Sequence, residues 1–373
     1  MIINNPQTME DLLPENCEID YIEIYTPMAK ALAYWHIHAL GFSPIACTPA
    51  GPNEYGITSY VLQSGEIRLV LTSVYPTMKN RQDSEVASFI ARNYCGVKRV
   101  ALRVSSVSRW FDKSIGNMGI PIKFPTTYKD DSGSVEEAAI KLYDQNELVF
   151  INRDPYKGVF KPGFVATAPD TRRQEPAFFQ KIDHIASEVR VNESAYWTEY
   201  LKNAVGTMVM QSIGHSNENK TGMIMNISQT PGKNLTMVIS EPDTTPQRIK
   251  IQTNIDTFGP GIHHLAFSVN DIVAVVNELE RRKVEFTSIP DSYYDLLRSN
   301  EEFKDIDIDA LQKNRIIIDK EGDSCLLQRF IMPISERPFF LYEIVQRVNG
   351  YAGFAVKNIN ALKKAEEMVA SAL

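Results

Sequence analysis

Short apolar stretches followed by amphipathic helical stretches recur along this chain, and they recur in matched pairs. Residues 19–44 read IDYIEIYTPMAKALAYWHIHALGFSP, and residues 182–206 read IDHIASEVRVNESAYWTEYLKNAVG. Each predicts a short strand, a turn and a helix carrying the same AYW triplet. A second pair begins at Gly96, GVKRVALRVSSVSRWFDKSIGNMGIPIKFP, and at Gly261, GIHHLAFSVNDIVAVVNELERRKVEFTSIP. Each again predicts a strand and then a helix with apolar residues at helical spacing. These are Val107, Trp110 and Phe111 in the first copy, and Ile272, Val275, Val276 and Leu279 in the second. Asn270 is the expected cap of the later helix. Further strands are expected over SYVLQSGEIRLVLTSV, LTMVIS, SCLLQRFI and FFLYEIVQRV. A closing helix is expected over NINALKKAEEMVASAL, with Ile359, Leu362, Glu366 and Val369 on one side of it.

The pattern gives an α+β fold of two similar halves. A length of 373 residues suits about two domains. The stretch FKPGFVATAPDTRRQEP, rich in Pro, Gly and charge, reads as the junction. The expected division is a first domain over 1–160, a linker over 161–176 and a second domain over 177–373. Net charge is -7 and the basic residues do not cluster, which argues against a nucleic-acid surface and for a small-molecule partner. Four scattered cysteines, with no CxxC pair, signal neither a zinc knuckle nor a disulfide framework. The polar, acidic start MIINNPQTMEDLLPENCEID is unlike a signal peptide, and no apolar run is long enough to span a membrane. A cytoplasmic setting is the expectation.

The repeat directs attention to the second half. His184 stands where the first copy has Tyr21, and His264 where it has Arg99. Of the other four histidines, His36 and His38 lie two apart on a helix, share no face, and are expected to be structural or exposed. His215 falls in a polar loop and is expected to be solvated. On the strand from Gly261, simple alternation puts Ile262, His264, Ala266 and Ser268 on one face, and His263, Leu265, Phe267 and Val269 on the other. The bulky face would pack under helices, so His264 is selected for a site. Glu343 sits amid an otherwise apolar strand, and a buried carboxylate demands a partner. The spacing is 80 residues from His184 to His264 and 79 more to Glu343, one residue per distant strand. Any one of them alone reads as core packing. Together, two His and one carboxylate form the facial set of non-haem Fe(II) oxygenases. Asp183 is expected to point away from that set.

These residues carry a resemblance. IDHIASEV, GPGIHHLAFSVNDI, FTSIPDSYYDLL, LLQRF, FFLYEIVQR and GFAVKNINAL resemble, in order and spacing, the family of 4-hydroxyphenylpyruvate dioxygenase and hydroxymandelate synthase, within the vicinal oxygen chelate superfamily. The first half matches weakly, with GVKRVALRV clearest. The resemblance implies duplicated βαββ modules forming two open-barrel domains, with a C-terminal gating helix. It implies Fe(II) held by His184, His264 and Glu343, O2 as co-substrate, and a 2-oxo acid that is oxidatively decarboxylated and hydroxylated in the same molecule. The first such substrate is 4-hydroxyphenylpyruvate, giving homogentisate. Hydroxymandelate synthesis, or another aryl or aliphatic 2-oxo acid, is the alternative. Gln328 matches a glutamine that hydrogen-bonds near the substrate, Phe330 a pocket aromatic, and Phe354 the aromatic at the root of the gating helix. A homo-oligomer is common in such proteins.

The chain departs from the family pattern in places. His263 stands where the family has Gln, and Ala355 and Lys357 replace glycines. The positions of substrate contacts that are usually Ser, Asn and Gln fall on Met225, Ser240 and Lys250. With His263 these are the candidate substrate contacts, and they point to a different organic group. An extradiol catechol dioxygenase shares the ligand set, but Gln328 and Phe354 speak against it. A metal-free binding protein of the same superfamily would not need the triad. Fold alone decides none of this.

Overall fold

The computed structural model describes residues 17–49, 56–75, 84–167, 177–214, 222–243, 250–335, 340–354, 358 and 361–362. His215, Ala355, Lys357, the side chain of Lys250, residues 168–176 of the expected linker, and most of the closing helix lie outside them.

Two mixed sheets account for the strands. The first contains β1 (Glu18–Tyr25), β2 (Ser43–Cys47), β3 (Ile57–Ser64), β4 (Ile67–Val74), β5 (Gly96–Arg103), β6 (Pro121–Asp130), β7 (Gly133–Leu142), β8 (Asn146–Asn152) and β9 (Val165–Ala166). The second contains β10 (Ile182–Glu188), β11 (Met208–Ile213), β12 (Met223–Gln229), β13 (Thr236–Pro242), β14 (Gly261–Ser268), β15 (Ile317–Glu321), β16 (Ser324–Phe330) and β17 (Leu341–Val348). The first sheet runs β6-β7-β8-β5-β1-β4-β3-β2-β9, and the second β11-β12-β13-β10-β14-β17-β16-β15. Read in reverse and without β9, the first order is the second order, strand for strand. The repeat seen in the sequence is therefore a repeat of topology. In all four units three strands follow the opening strand, one more than the βαββ pattern implies. β9 falls inside the expected linker, where Val165 and Ala166 pair with Cys47 and Ala46 of β2.

The helices follow the apolar spacing. They are α1 (Ala29–His38), α2 (Glu85–Asn93), α3 (Val107–Ile115), α4 (Ser194–Val205), α5 (Lys250–Phe258), α6 (Ile272–Arg281), α7 (Asp291–Arg298) and α8 (Ile308–Lys313). In α6 the four expected core residues are buried. Its cap is Asp271 rather than Asn270: the Asp271 carboxylate accepts from Ala274 N at 2.9 Å. One continuous apolar core joins the two halves. Ile22, Leu32, Leu40 and Phe42 from the first meet Phe179, Ile185, Phe267 and Tyr342 from the second. His36 belongs to this seam. It is fully buried, with Nδ1 2.7 Å from Leu32 O and Nε2 2.8 Å from the Tyr342 hydroxyl. Burial pushes its imidazole down to about 4, so it sits there neutral. His38, two residues on, is exposed, as the spacing requires.

The inner faces of the two sheets differ. That of the first is filled by its own side chains, including Tyr21, Val70, Ala101, Val149, Ile151 and Phe160. That of the second carries His184, His264 and Glu343.

Candidate metal centre

β10, β14 and β17 are neighbours, and their register fixes the site. His184 lies opposite Ala266, and Ala266 lies opposite Glu343, so His184 and Glu343 flank one small residue on the strand between them. His264, two residues back along β14, lies opposite Ala186. Alanine at 186 and 266 leaves the space that the three longer side chains converge into. A ligand atom from each of His184, His264 and Glu343 lies within 4.8 Å of the other two. Among the described residues this is the one His/Cys/Asp/Glu group so arranged.

Alternation along the strands breaks at the site. The β10–β14 ladder changes register at Asp183 and again at His263, so each is an extra residue in a β-bulge. This corrects the assignment of faces. His263 does not turn to the opposite face: its Nδ1 lies 2.8 Å from His264 Nδ1. Ile262 turns instead into the core. Nor does Asp183 point away. His184 Nδ1 donates to Asp183 Oδ1 at 2.8 Å, which fixes the tautomer and turns Nε2 toward Glu343. Asp183 is in turn held by Arg347, whose Nε and Nη2 donate to its two oxygens at 2.7 and 2.8 Å. Against the upward push of burial, His184 and Arg347 hold the Asp183 carboxyl well below the usual carboxylate range.

The electrostatics suit a cation. Glu343 is fully buried, and its Oε2 lies 3.1 Å from His184 Nε2 and 3.3 Å from His264 Nε2. That oxygen has no well-formed hydrogen bond to either ring. A buried carboxylate oxygen without a hydrogen bond, faced by two imidazole nitrogens, is the donor set a divalent ion completes. Burial alone would raise the Glu343 carboxyl, but the two rings outweigh it and hold it at about 2. For His184, burial pulls down, while Glu343 and Asp183 pull up harder and carry it to about 9. For His264 burial prevails and the ring is lowered.

Gln328, Phe330, Phe354 and His263 adjoin the triad. Gln328 is buried, donates to Glu343 Oε1 and meets the Asn358 amide at 2.9 Å. Phe330 lies opposite Glu343 on β16 and meets the His264 ring edge to face at 5.8 Å. Phe354 meets the His184 ring in the same way at 5.5 Å. Met225 and Ser240 are direct partners across β12 and β13. Met225 joins Ala186, Ile213, Ile227 and Val238 in an apolar cluster against which Phe354 packs. Beyond it stands Glu188, which accepts from Asn254 at 2.8 Å and lies 3.7 Å from His263 Nε2. Lys250 is the first residue of α5. Sequence reasoning did not single out Arg347, Asn358 or Glu188. The repeat could have found Arg347, because Arg153 occupies its place in the first half and binds Asp20 at 2.8 Å.

Duplicated curled sheets with a His–His–Glu cluster on one inner face define a member of the vicinal oxygen chelate superfamily with a candidate metal site. Residues 181–307 match the family described as Glyoxalase/Bleomycin resistance protein/Dioxygenase superfamily. The chain is 30% identical to the 4-hydroxyphenylpyruvate dioxygenase of Yarrowia lipolytica over 93% of this chain and 91% of that one. It is 30% identical to the enzyme of the same name from Tetrahymena thermophila over 92% and 87%. A solved triple mutant of 4-hydroxymandelate synthase from Streptomyces coelicolor superposes with a TM-score of 0.81 at 26% identity, covering 94% of this chain and 98% of that one. The chain belongs to the 4-hydroxyphenylpyruvate dioxygenase family. No helix among the described residues is long and apolar enough to cross a membrane.

Proposed function

We propose that this protein is an Fe(II)-dependent dioxygenase that takes a 2-oxo acid and O2, releases CO2 and hydroxylates the remainder of the same molecule. The first substrate is 4-hydroxyphenylpyruvate and the product homogentisate. The observation that carries this is the triad of His184, His264 and Glu343, with an unbonded carboxylate oxygen between two imidazoles. Fe(II) held by these three side chains would supply redox chemistry and open positions for O2 and a chelating 2-oxo acid. The chain's own groups do the rest. Asp183 holds His184 with Nε2 inward. Gln328 donates to Oε1 of Glu343 and leaves Oε2 to face the imidazoles. Phe330 and Phe354 present rings on either side of the histidines, where an aryl group can lie between them. The cluster of Ala186, Ile213, Met225, Ile227 and Val238 keeps that part of the cavity apolar and excludes water. None of the four cysteines forms a disulfide, which suits a reducing, cytoplasmic compartment.

The 4-hydroxymandelate synthase likeness supports a second reading, hydroxylation at the benzylic carbon. Both products are isomers, each formed with one CO2 per O2. The test is O2 uptake by protein loaded with Fe(II) under argon, over a panel of 2-oxo acids, with products assigned by NMR. Uptake with 4-hydroxyphenylpyruvate, lost in His264→Ala and Glu343→Ala, is expected, and ring or benzylic substitution then separates the readings. Uptake with a different 2-oxo acid alone would replace the substrate. No uptake across the panel would refute the dioxygenase reading and favour a binding role.

A further inference from the structure

Arg347 makes more connections than a scaffold ion pair needs. Its Nε and Nη2 grip both oxygens of Asp183, the residue that receives the His184 Nδ1 proton. Its Nη1 donates to Tyr351 O at 3.1 Å and to Gly353 O at 3.0 Å. Its guanidinium lies 4.9 Å from the centre of the Phe354 ring. Phe354 in turn rests edge to face on His184. One side chain thus touches the aspartate behind the first metal histidine and the segment 351–354 in front of it.

The first half contains the same constellation, and among the described residues it has no metal triad. Arg153 Nε donates to Asp20, Arg153 Nη1 reaches Phe160 O at 3.4 Å, and its guanidinium lies 5.7 Å from the Phe160 ring. Phe160 meets Tyr21 edge to face at 5.4 Å, as Phe354 meets His184. The difference lies in what else the aspartate holds. Asp20 Oδ1 accepts from a second arginine, Arg68, at 3.2 Å, whereas Asp183 Oδ1 accepts from a histidine. In the first half the constellation is a closed plug over a filled interior. In the second the same plug rests on a ligand.

We propose that Arg347 is a positioning residue that couples docking of segment 351–354 to the orientation of His184. With the segment docked, its carbonyls and the Phe354 ring fix the guanidinium, and the guanidinium fixes Asp183 and thereby the imidazole. Undocking removes three of the contacts that hold Arg347. By linkage, an ion bound at His184 must favour the docked segment to the same degree that docking favours the ion. The inference rests on the metal reading of the triad.

The test uses Co(II) as the probe, so it does not depend on the substrate. Co(II) affinity and its visible absorption band are measured for the full chain, with hydrogen exchange at residues 351–354 with and without the ion. The unsubstituted protein is expected to bind Co(II) and to slow exchange there. Arg347→Gln is expected to lose about 10- to 100-fold in affinity, the range for groups behind a metal ligand, and to lose the protection. Arg347→Lys, which keeps the charge but not the fork, is expected to do the same and stands in if the Gln variant does not fold. Arg153→Gln is the internal control: its melting temperature should fall while affinity and protection stay within about twofold. Arg347 variants with affinity and protection intact would overturn the inference alone, as would an Arg153→Gln variant that loses both equally. No Co(II) uptake by the unsubstituted protein would overturn the metal reading, and this inference with it.

Discussion

Metal uptake should expel a proton, and the structure says how many. His184 is fully buried, yet Glu343 Oε2 at 3.1 Å and Asp183 Oδ1 at 2.8 Å raise its imidazole from 6.5 to about 9. That rise corresponds to about 3 kcal/mol in favour of the imidazolium. It is a net figure. A bare charge pair at 3.1 Å would give about 5 kcal/mol at an effective dielectric of about 20, and burial takes part of it back. At pH 7 the metal-free ring therefore carries its proton in about 99% of molecules. A metal ion needs the neutral ring, so each ion bound at pH 7 displaces about one proton. His264, lowered by burial, and Glu343, held at about 2, contribute none. Apparent affinity should then rise about tenfold per pH unit up to pH ~9, or about 100-fold from pH 7 to 9. The sign for folding is opposite. The stabilisation that His184 draws from its carboxylates is complete below about 6.5 and is lost as pH rises through about 9, so alkali weakens the metal-free fold while strengthening the metal complex. Calorimetric titration of Co(II) at pH 7, in buffers of different ionisation enthalpy, gives the proton count as a slope. A slope of zero, or an affinity flat between pH 7 and 9, would show that His184 is neutral before the metal arrives and would refute the reasoning.

Other perturbations test the surrounding structure. Neutral, buried His36, lowered to about 4, contributes stability that is complete above about 6.5 and fades as pH falls toward 4, about 3 kcal/mol in all. Denaturant titrations should therefore show a steeper acid loss in the unsubstituted protein than in His36→Gln, and equal slopes would refute this. Gly65, at φ +54 in the turn between β3 and β4, faces the Phe179 and Gln180 carbonyls of the second half. Gly65→Ala should cost about 2 kcal/mol or more by both strain and collision, read as a lowered melting temperature; an unchanged melting temperature would mean that the seam yields freely. Met225 and Ser240 face each other across two strands in the apolar wall. If that wall meets the aryl end, Met225→Ser with Ser240→Asn should raise the kcat/KM preference for 4-hydroxyphenylpyruvate over phenylpyruvate by about tenfold, at roughly 1 kcal/mol per hydrogen bond. An unchanged ratio would place the ring hydroxyl elsewhere.

The three residues of the candidate metal site stood out because each broke a pattern: two histidines at matched repeat positions and a glutamate inside an apolar strand. Their convergence follows from the strand order β10-β14-β17, which the repeat alone did not reveal. What the residues did not reveal is where alternation fails. A bulge is one extra residue in a ladder, and nothing in IDHI or GIHHL says which side chain is the extra one. His263, Ile262 and Asp183 were therefore assigned to the wrong faces by a rule that holds only where the ladder is unbroken. Asn270 missed the cap by one residue for a similar reason, since Asn and Asp side by side are equally good acceptors.

The duplication also separates what the fold requires from what the site requires. The β1–β5 ladder shifts register at Asp20 and Lys98, the positions that match Asp183 and His263. The bulges, the Asp–Arg pair and the terminal phenylalanine thus occur in both halves and belong to the scaffold. Only the occupants differ. Where the second half has His184, His264 and Glu343, the register of the first places Tyr21, Arg99 and Val149. Arg99 there serves Glu23, Glu85 and Glu147, and Tyr21 and Val149 fill the interior. Opposite these, Ala139 and Glu137 on β7 match Phe330 and Gln328 on β16. Within one frame, five side chains separate the interior of the first half from the candidate metal site of the second. The first half therefore shows what this scaffold does when it is free of chemistry, and any property shared by Arg153 and Arg347 is a property of folding, while any property of Arg347 alone belongs to the site.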